Sequence, residues 1–482
     1  HGCRSTIPTL RQTGRHQPSL LATGGRIMSL LFIAWRNFRY RALSSFLTTL
    51  SLTLGVGLVV LVMSVYGIIS EAFVRNASVG YNLVVGPKGS TLQLTLNAVY
   101  YLSQPIENLP YTEYMEFYPK EKRAEMVRTF GGDPALGERD GVYAGFMTDG
   151  YAIPLALGDY FGEFRVVGTT PDFFELLKHG PDADQPFTFE EGRNFEFNNE
   201  ENSYFECVLG SRVAAQMGMR VGDVMNPTHG DPEGKGHGQG FQIVGVLDPT
   251  GTPNDRAAFV NLEGFYLLEG HAKPIPDDAV IVLPESAETA GPDEPLLLTI
   301  PEREVTSILV RNGNLMMAPL LQNRIKESVR AEAATPIGEI NKLMTMIVGP
   351  LMQALLAITL ITCVVAAVGV LVAIYNSMND RKRDIAVMRA LGARRGSVTW
   401  IILFESLIIA LVGGIAGWVL AHLGILAASP LIEARTGVQV GFFSMSTYEL
   451  YLLPLVIGLS LLAGIVPAAS AYRTDVGTNL SA

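Results

Sequence analysis

The sequence predicts an α-helical membrane protein with four transmembrane helices and a large α+β extracytoplasmic domain inserted between helices 1 and 2. Three observations predict it. Charged residues fill only 17% of 482 positions and mean hydropathy is +0.26, whereas a typical soluble chain is about 25% charged. Four runs carry no charge at all, 42–70, 343–379, 406–432 and 450–472, with 29, 37, 27 and 23 residues. Each is longer than the roughly 20 residues a spanning helix needs, and buried helices of soluble proteins seldom extend so far without a charged flank. The net charge of −10 is also unevenly spread: residues 70–342 hold 40 acids and 21 bases, a net −19, which leaves 6 acids and 15 bases, a net +9, for the remainder that contains the runs. So apolar a chain is not a disordered one, and three cysteines in this length exclude a disulfide scaffold.

The elements follow in chain order. Residues 1–27 are polar and lack the apolar stretch and cleavage site of a secretory signal; they are expected as a disordered extension ahead of a true start at Met28. Residues 28–79 read as a cytoplasmic N-terminus, transmembrane helix 1 and a stalk. Strand-like runs at 81–85, 164–167, 207–209, 241–246 and 307–310 alternate with turns across 80–314. Residues 315–342 read as a returning stalk helix, because Leu320, Leu321, Ile325 and Val329 recur at helical spacing, with Pro319 and Pro336 as interruptions. Residues 343–379 form transmembrane helix 2, broken near its start by Gly349-Pro350. A cytoplasmic loop at 380–398, helix 3 at 399–428, a short external loop at 429–447, helix 4 at 448–472 and a tail at 473–482 complete the chain.

Orientation follows from the basic residues of the short connections. Arg36, Arg39 and Arg41 precede the first run. Arg381, Lys382, Arg383, Arg389, Arg394 and Arg395 lie between the second and third, Arg473 follows the fourth, and 429–447 holds only Arg435. Both termini and the 380–398 loop are thus expected in the cytoplasm, and the acidic segment outside.

Few residues suggest chemistry. His229, His237 and His271, with Asp231 and Glu233 nearby, could ligate zinc, but a metal site wants rigid elements and the loop holds Gly230, Gly234, Gly236, Gly238 and Gly240. The expectation is a solvated loop with no metal, and the other reading is a metal-sensing or metal-delivery site. Ser211 has no G-x-S-x-G frame, and Gly86 to Ser90 lacks phosphate-loop spacing. The chain is therefore expected to be non-catalytic, to hold no cofactor and to leave ATP to another chain. Cys207 is the only thiol of the external segment, so no intramolecular disulfide can form there.

In the cytoplasmic loop, Ile385, Val387, Met388 and Leu391 give a short apolar face that Gly392 can end, with a new helix near Ser397. Composition allows either a plain basic loop or a handle for a cytoplasmic partner. Residues 383–393, RDIAVMRALGA, followed by Glu405, resemble the signature of FtsX-like permeases in MacB-type ABC transporters. Residues 467–475, PAASAYRTD, are similar to that family's tail, with Val476 where proline is usual. Blocks at 167–174, 191–195, 208–211, 221–223 and 241–247 resemble, in order, a MacB-like periplasmic core domain.

The resemblance implies a multi-pass protein of the bacterial inner membrane. It implies a permease dimer, of two copies or two related chains, with separate ATPase subunits docked on 381–395. Arg383, Ile385, Met388, Arg389 and Leu391 are then the expected contacts. It further implies mechanotransmission: ATP hydrolysis levers the external domains to extract or export an amphiphilic lipoprotein, lipid, peptide or drug, with an external adaptor or lipoprotein as further partner. An alternative from another class is a mechanotransducer that controls a cell-wall hydrolase without transport. Nothing points to nucleic acid. Small residues one turn apart, Ser51 with Gly55 and Gly413 with Gly417, are the expected helix-packing positions. Glu405 and His422 are the exceptions to otherwise uncharged spans, where a polar pathway would need more.

Overall fold

A computed structural model describes residues 20–40, 42–76, 80–180, 184–234, 236–275, 280–284, 296–380, 382–436 and ten helical positions between 454 and 472. The chain divides into two units, an α+β unit (66–353 and 426–441) and a helical unit (1–65, 354–425 and 442–482).

An eleven-stranded mixed sheet organises the α+β unit. Its strands are β1 (Leu83–Pro87), β2 (Tyr151–Phe161), β3 (Phe164–Thr169), β4 (Phe189–Gly192), β5 (Glu206–Leu209), β6 (Val224–Met225), β7 (Thr228–His229), β8 (Phe241–Leu247), β9 (Ala257–Asn261), β10 (Ser307–Arg311) and β11 (Ala331–Ala334). The order is β11-β1-β10-β2-β3-β9-β5-β8-β4, with β7 beside β2 and β6 beside β8. All five strand-like runs of the sequence are strands. Both faces are covered, so alternate residues enter different cores. Val84, Ile153 and Leu309 pack with Phe173, Phe174 and Phe259, while Leu83, Val85, Ala152 and Ile308 pack with Met115 and Phe117. A third core gathers Val166, Cys207, Leu209 and Phe265 under the other end of the sheet.

Residues 315–342 differ from the expected stalk helix. They hold the helix Ala318–Lys326, then β11, then the helix Pro336–Leu343. Ala331, Ala333 and Ala334 are good helix formers, yet their small side chains are fully buried where β11 lies antiparallel to β1; sheet pairing overrides a weak local preference. Pro336, which lacks an N–H, sits in the first turn of the next helix, where none is needed.

The helical unit contains most of the long apolar helices. Segments Ser45–Ile68, Pro336–Gly369 and Arg395–Leu431, with mean hydropathies of 2.3, 2.4 and 2.2, are long and apolar enough to cross a membrane. The expected fourth span lies largely outside the described residues. Gly349-Pro350 does not end the second apolar helix: a π-helical turn at Met344–Val348 runs into the α-helix Gly349–Asp380, and such a wide turn absorbs the missing proline donor. At the other end of the chain, the helix Leu20–Tyr40 begins upstream of Met28, inside the expected disordered extension. Residues 1–19 lie outside the described residues.

Leu52, Val56, Val60, Val398, Ile402, Ile409 and Ala421 build the core of this unit. The first and third apolar helices approach closely at Gly57 and Gly417. A Cβ on Gly417 would stand 2.7 Å from the Thr53 carbonyl oxygen and 2.9 Å from Val56 Cβ. Gly413 meets Leu52, whereas Ser51 is exposed and Gly55 buried.

Candidate functional site

Two places carry candidate function, one in each unit. In the helical unit the short helix Lys382–Ala390 precedes Arg395–Thr436. A Schellman motif ends it: Gly392 N–H donates to Arg389 O at 3.1 Å and Ala393 N–H to Met388 O at 3.0 Å. Gly392 supplies the positive φ of 102° that this stop requires. The A-L-G-A part of the motif is thus a helix terminus written in sequence. Ile385 and Ala386 are buried, and Ile385 joins the core with Val398 and Ile402 while Met388 packs partly against it. Val387 and Leu391 face outward, Leu391 with 84% of its surface exposed. Arg389 is half-buried, and the side chain of Arg383 lies outside the described residues. Of the expected contacts whose side chains are described, then, Ile385 holds the helix in place and Leu391 is the most exposed.

In the α+β unit four side chains from three parts of the chain converge. The pairing of β2 with β3 slips between Leu157 and Tyr160, so Gly158-Asp159 holds one residue more than the partner strand. Such a bulge re-aims a side chain, and Asp159 is fully buried. β7 pairs with β2 so that His229 lies directly across from Asp159. Beyond it, Gly230 turns the chain at φ 69° and Thr228 bridges Gly236. The His237 N–H then donates to Pro227 O at 3.1 Å, which returns His237 beside His229. Gly270, at φ 91°, places His271 after the helix Leu262–Tyr266, with its ring edge-on to Phe265 at 4.3 Å.

The distances are short. His229 Nδ1 lies 3.3 Å from Asp159 Oδ1, and His237 Nε2 and His271 Nε2 lie 3.0 and 3.3 Å from Oδ2. The side chains of His237 and His271 are 5% and 7% exposed, that of His229 56%. Burial, reinforced by the neighbouring imidazoles, pushes His237 below the ordinary histidine value against the pull of Asp159, so the ring favours its neutral form, with a free lone pair. Asp231 and Glu233 are exposed and outside the cluster. The glycines that suggested a loose loop instead make its turns. Asp159 was not among the residues singled out from sequence, although it is the only charge in the apolar strand Tyr151–Phe161.

Comparison with known proteins places both units. Residues 45–292 match the MacB-like periplasmic core domain, and residues 356–476 the FtsX-like permease C-terminal region. An uncharacterized ABC transporter permease of Methanocaldococcus jannaschii is 24% identical over 60% of this chain and 62% of its own length. The pyoverdine export ATP-binding/permease protein PvdT of Pseudomonas savastanoi is 26% identical over 57% of this chain and 39% of its own. The macrolide export ATP-binding/permease protein MacB of Bordetella avium is 32% identical over 24% of this chain and 17% of its own. The chain thus spans less than two thirds of each of these relatives.

Proposed function

Because this chain belongs to the family of permeases that join a MacB-like periplasmic core domain to an FtsX-like permease C-terminal region, we propose that it couples ATP hydrolysis on a separate chain to extraction or export of an amphiphilic substrate. Its relatives are named as ABC transporter permeases and as ATP-binding/permease exporters, while the sequence here has no phosphate-binding loop of its own. In this reading the protein sits in the bacterial inner membrane with four spans, both termini inside and the α+β unit outside. It pairs with a second permease chain.

The observation that supports this reading best is the capped helix Lys382–Ala390. Its inner face is fixed by Ile385 against Val398 and Ile402, so a push on its outer face reaches the helix Arg395–Thr436 without first being absorbed by a loose loop. That helix lies in glycine contact with Ala42–Asn76 through Gly417 and Gly57, so closure of two ATPase subunits can be transmitted along packed backbones. No aqueous path through the bilayer centre is needed. Glu405 and His422, two polar residues within the third apolar helix, are 7% and 2% exposed inside the unit.

Co-purification with the ATPase subunit tests the docking surface. Leu391→Asp and Val387→Asp put a charge on exposed positions without entering the core, and both are expected to weaken retention of the ATPase at least about 10-fold, as loss of an apolar anchor does. Ser203→Asp, in the α+β unit, is the control and is expected to retain it fully. Undiminished retention in both charged variants would place the ATPase elsewhere.

A further inference from the structure

We propose that Asp159, His229, His237 and His271 form a four-coordinate zinc site on the α+β unit. One ligand atom from each residue can be chosen so that all four lie within 4.8 Å of one another. The three nitrogen-to-carboxylate separations of 3.0 to 3.3 Å are informative. Zinc bonds of about 2.0–2.1 Å at tetrahedral angles set neighbouring ligands roughly 3.3 Å apart. The imidazoles already stand at that edge length from the carboxylate.

Hydrogen bonding among the four does not account for the cluster. Both carboxylate oxygens of Asp159, with Nε2 of His237 and of His271, are buried and make no hydrogen bond of acceptable geometry among the described residues. A buried carboxylate left without donors is costly, and the rings stand close to it without completing a hydrogen bond. Nitrogens and oxygens gathered this closely without bonding to one another are what a cation between them would require.

The donor set selects the ion. Calcium and magnesium take oxygen ligands almost exclusively, and three imidazoles with one carboxylate are not such a set. Soft ions seek thiolates, and Cys207, the free cysteine of this unit, is buried elsewhere in its core. Zinc accepts imidazole and carboxylate together in tetrahedral array. Copper binds such donors more tightly but prefers a tetragonal arrangement, which three rings 5.2 to 5.5 Å apart around one carboxylate do not offer.

Four protein ligands leave no open position, so the ion is held and does not act on a substrate. It ties His229, His237 and the turn at His271 to the bulge of β2, where short backbone pairings join Thr228–His229 to β2 and Thr228 to Gly236. The open flank at His229 is the route by which the ion enters and leaves. Occupancy therefore depends on zinc outside the α+β unit and sets how firmly this corner of the sheet is clasped. This inference rests on the α+β unit alone and survives or fails independently of ATPase docking.

The test uses the full chain in detergent, stripped by a chelator and titrated with zinc against a chromophoric competitor. One zinc per chain is expected, with a Kd of about 0.1 µM or tighter. His237→Gln and Asp159→Asn should each weaken it at least about 100-fold, the upper end of what loss of even an outer partner of a ligand costs. Asp231→Asn and Glu233→Gln, on the same loop but outside the cluster, should leave it unchanged. X-ray absorption on the wild-type protein, which needs no variant to fold, should show only nitrogen and oxygen neighbours at about 2.0–2.1 Å. Less than one tenth of an equivalent bound, sulfur in the first coordination shell, equal losses in the Asp231 and Glu233 variants, or retention of copper but not zinc would each overturn the proposal.

Discussion

Glu206 shows how one motif residue sets the behaviour of a carboxylate. Arg193, in the 191–195 block, donates to both its oxygens at 2.9 and 2.7 Å, and Asn202 Nδ2 and the Glu196 N–H add 3.0 and 3.1 Å bonds. Burial works to raise the carboxyl, but these donors outweigh it and hold Glu206 below its ordinary value of 4.5. A depressed folded value means that the stabilisation is fully present above the unfolded value and is lost as pH falls through the folded one. Glu206→Gln is therefore expected to flatten the thermal-stability profile on the acid side of the ordinary carboxylate value. Parallel profiles for wild type and variant, offset by a constant, would show that this carboxylate is not the titrating group. The same block contains Gly192 at φ 77°, where a Cβ would stand 2.0 Å from Val244 O. Glycine and arginine are thus legible in the sequence as a unit, but what they hold, Glu206, is not. Asp159 escaped for a related reason: it lies 70 positions before His229, and glycines that read as looseness are the turns that bring the histidines to it.

Elements were most legible where physics leaves one option. Uncharged runs of 23 residues or more have no alternative to a membrane or a deep core, and β-branched runs such as Ser307–Arg311 became strands. Residues 315–342 were least legible, because a helical spacing and alanines gave no sign of the edge of β1 waiting for β11. Helix contacts were legible only in part. Small residues mark close approach, and Gly413 and Gly417 do lie against the first apolar helix, but the partners they meet are Leu52, Thr53, Val56 and Gly57. Periodicity alone could not choose between the two faces of Ala42–Asn76. Gly417→Val is expected to lower the thermal midpoint of the purified chain, by overpacking that costs about 1–3 kcal/mol. Gly424→Ala, on the same helix with open space around it, should leave the midpoint unchanged or raise it slightly. Equal effects of the two would remove the Gly57–Gly417 contact from the explanation.

At the scale of the molecule, the net −10 is a sum of two parts that belong to different surroundings. A −19 segment forms the α+β unit, and a +9 remainder supplies the apolar helices and their basic connections. That partition is legible in the charges alone, and the two matched families divide the chain between residues 292 and 356, around the end of the acidic segment. Cargo is not readable in the same way, since an amphiphile is recognised by a surface and not by a motif. Coupling is the central claim, and it is tested most directly by ATP hydrolysis. With the permease and its ATPase reconstituted together in liposomes, the wild-type permease is expected to raise the ATPase rate above that of the ATPase alone. Leu391→Asp should return it to the basal level while the permease remains folded and inserted. Full stimulation by Leu391→Asp and Val387→Asp alike, or no stimulation by the wild type, would contradict the coupling of this chain to a separate ATPase through the helix Lys382–Ala390.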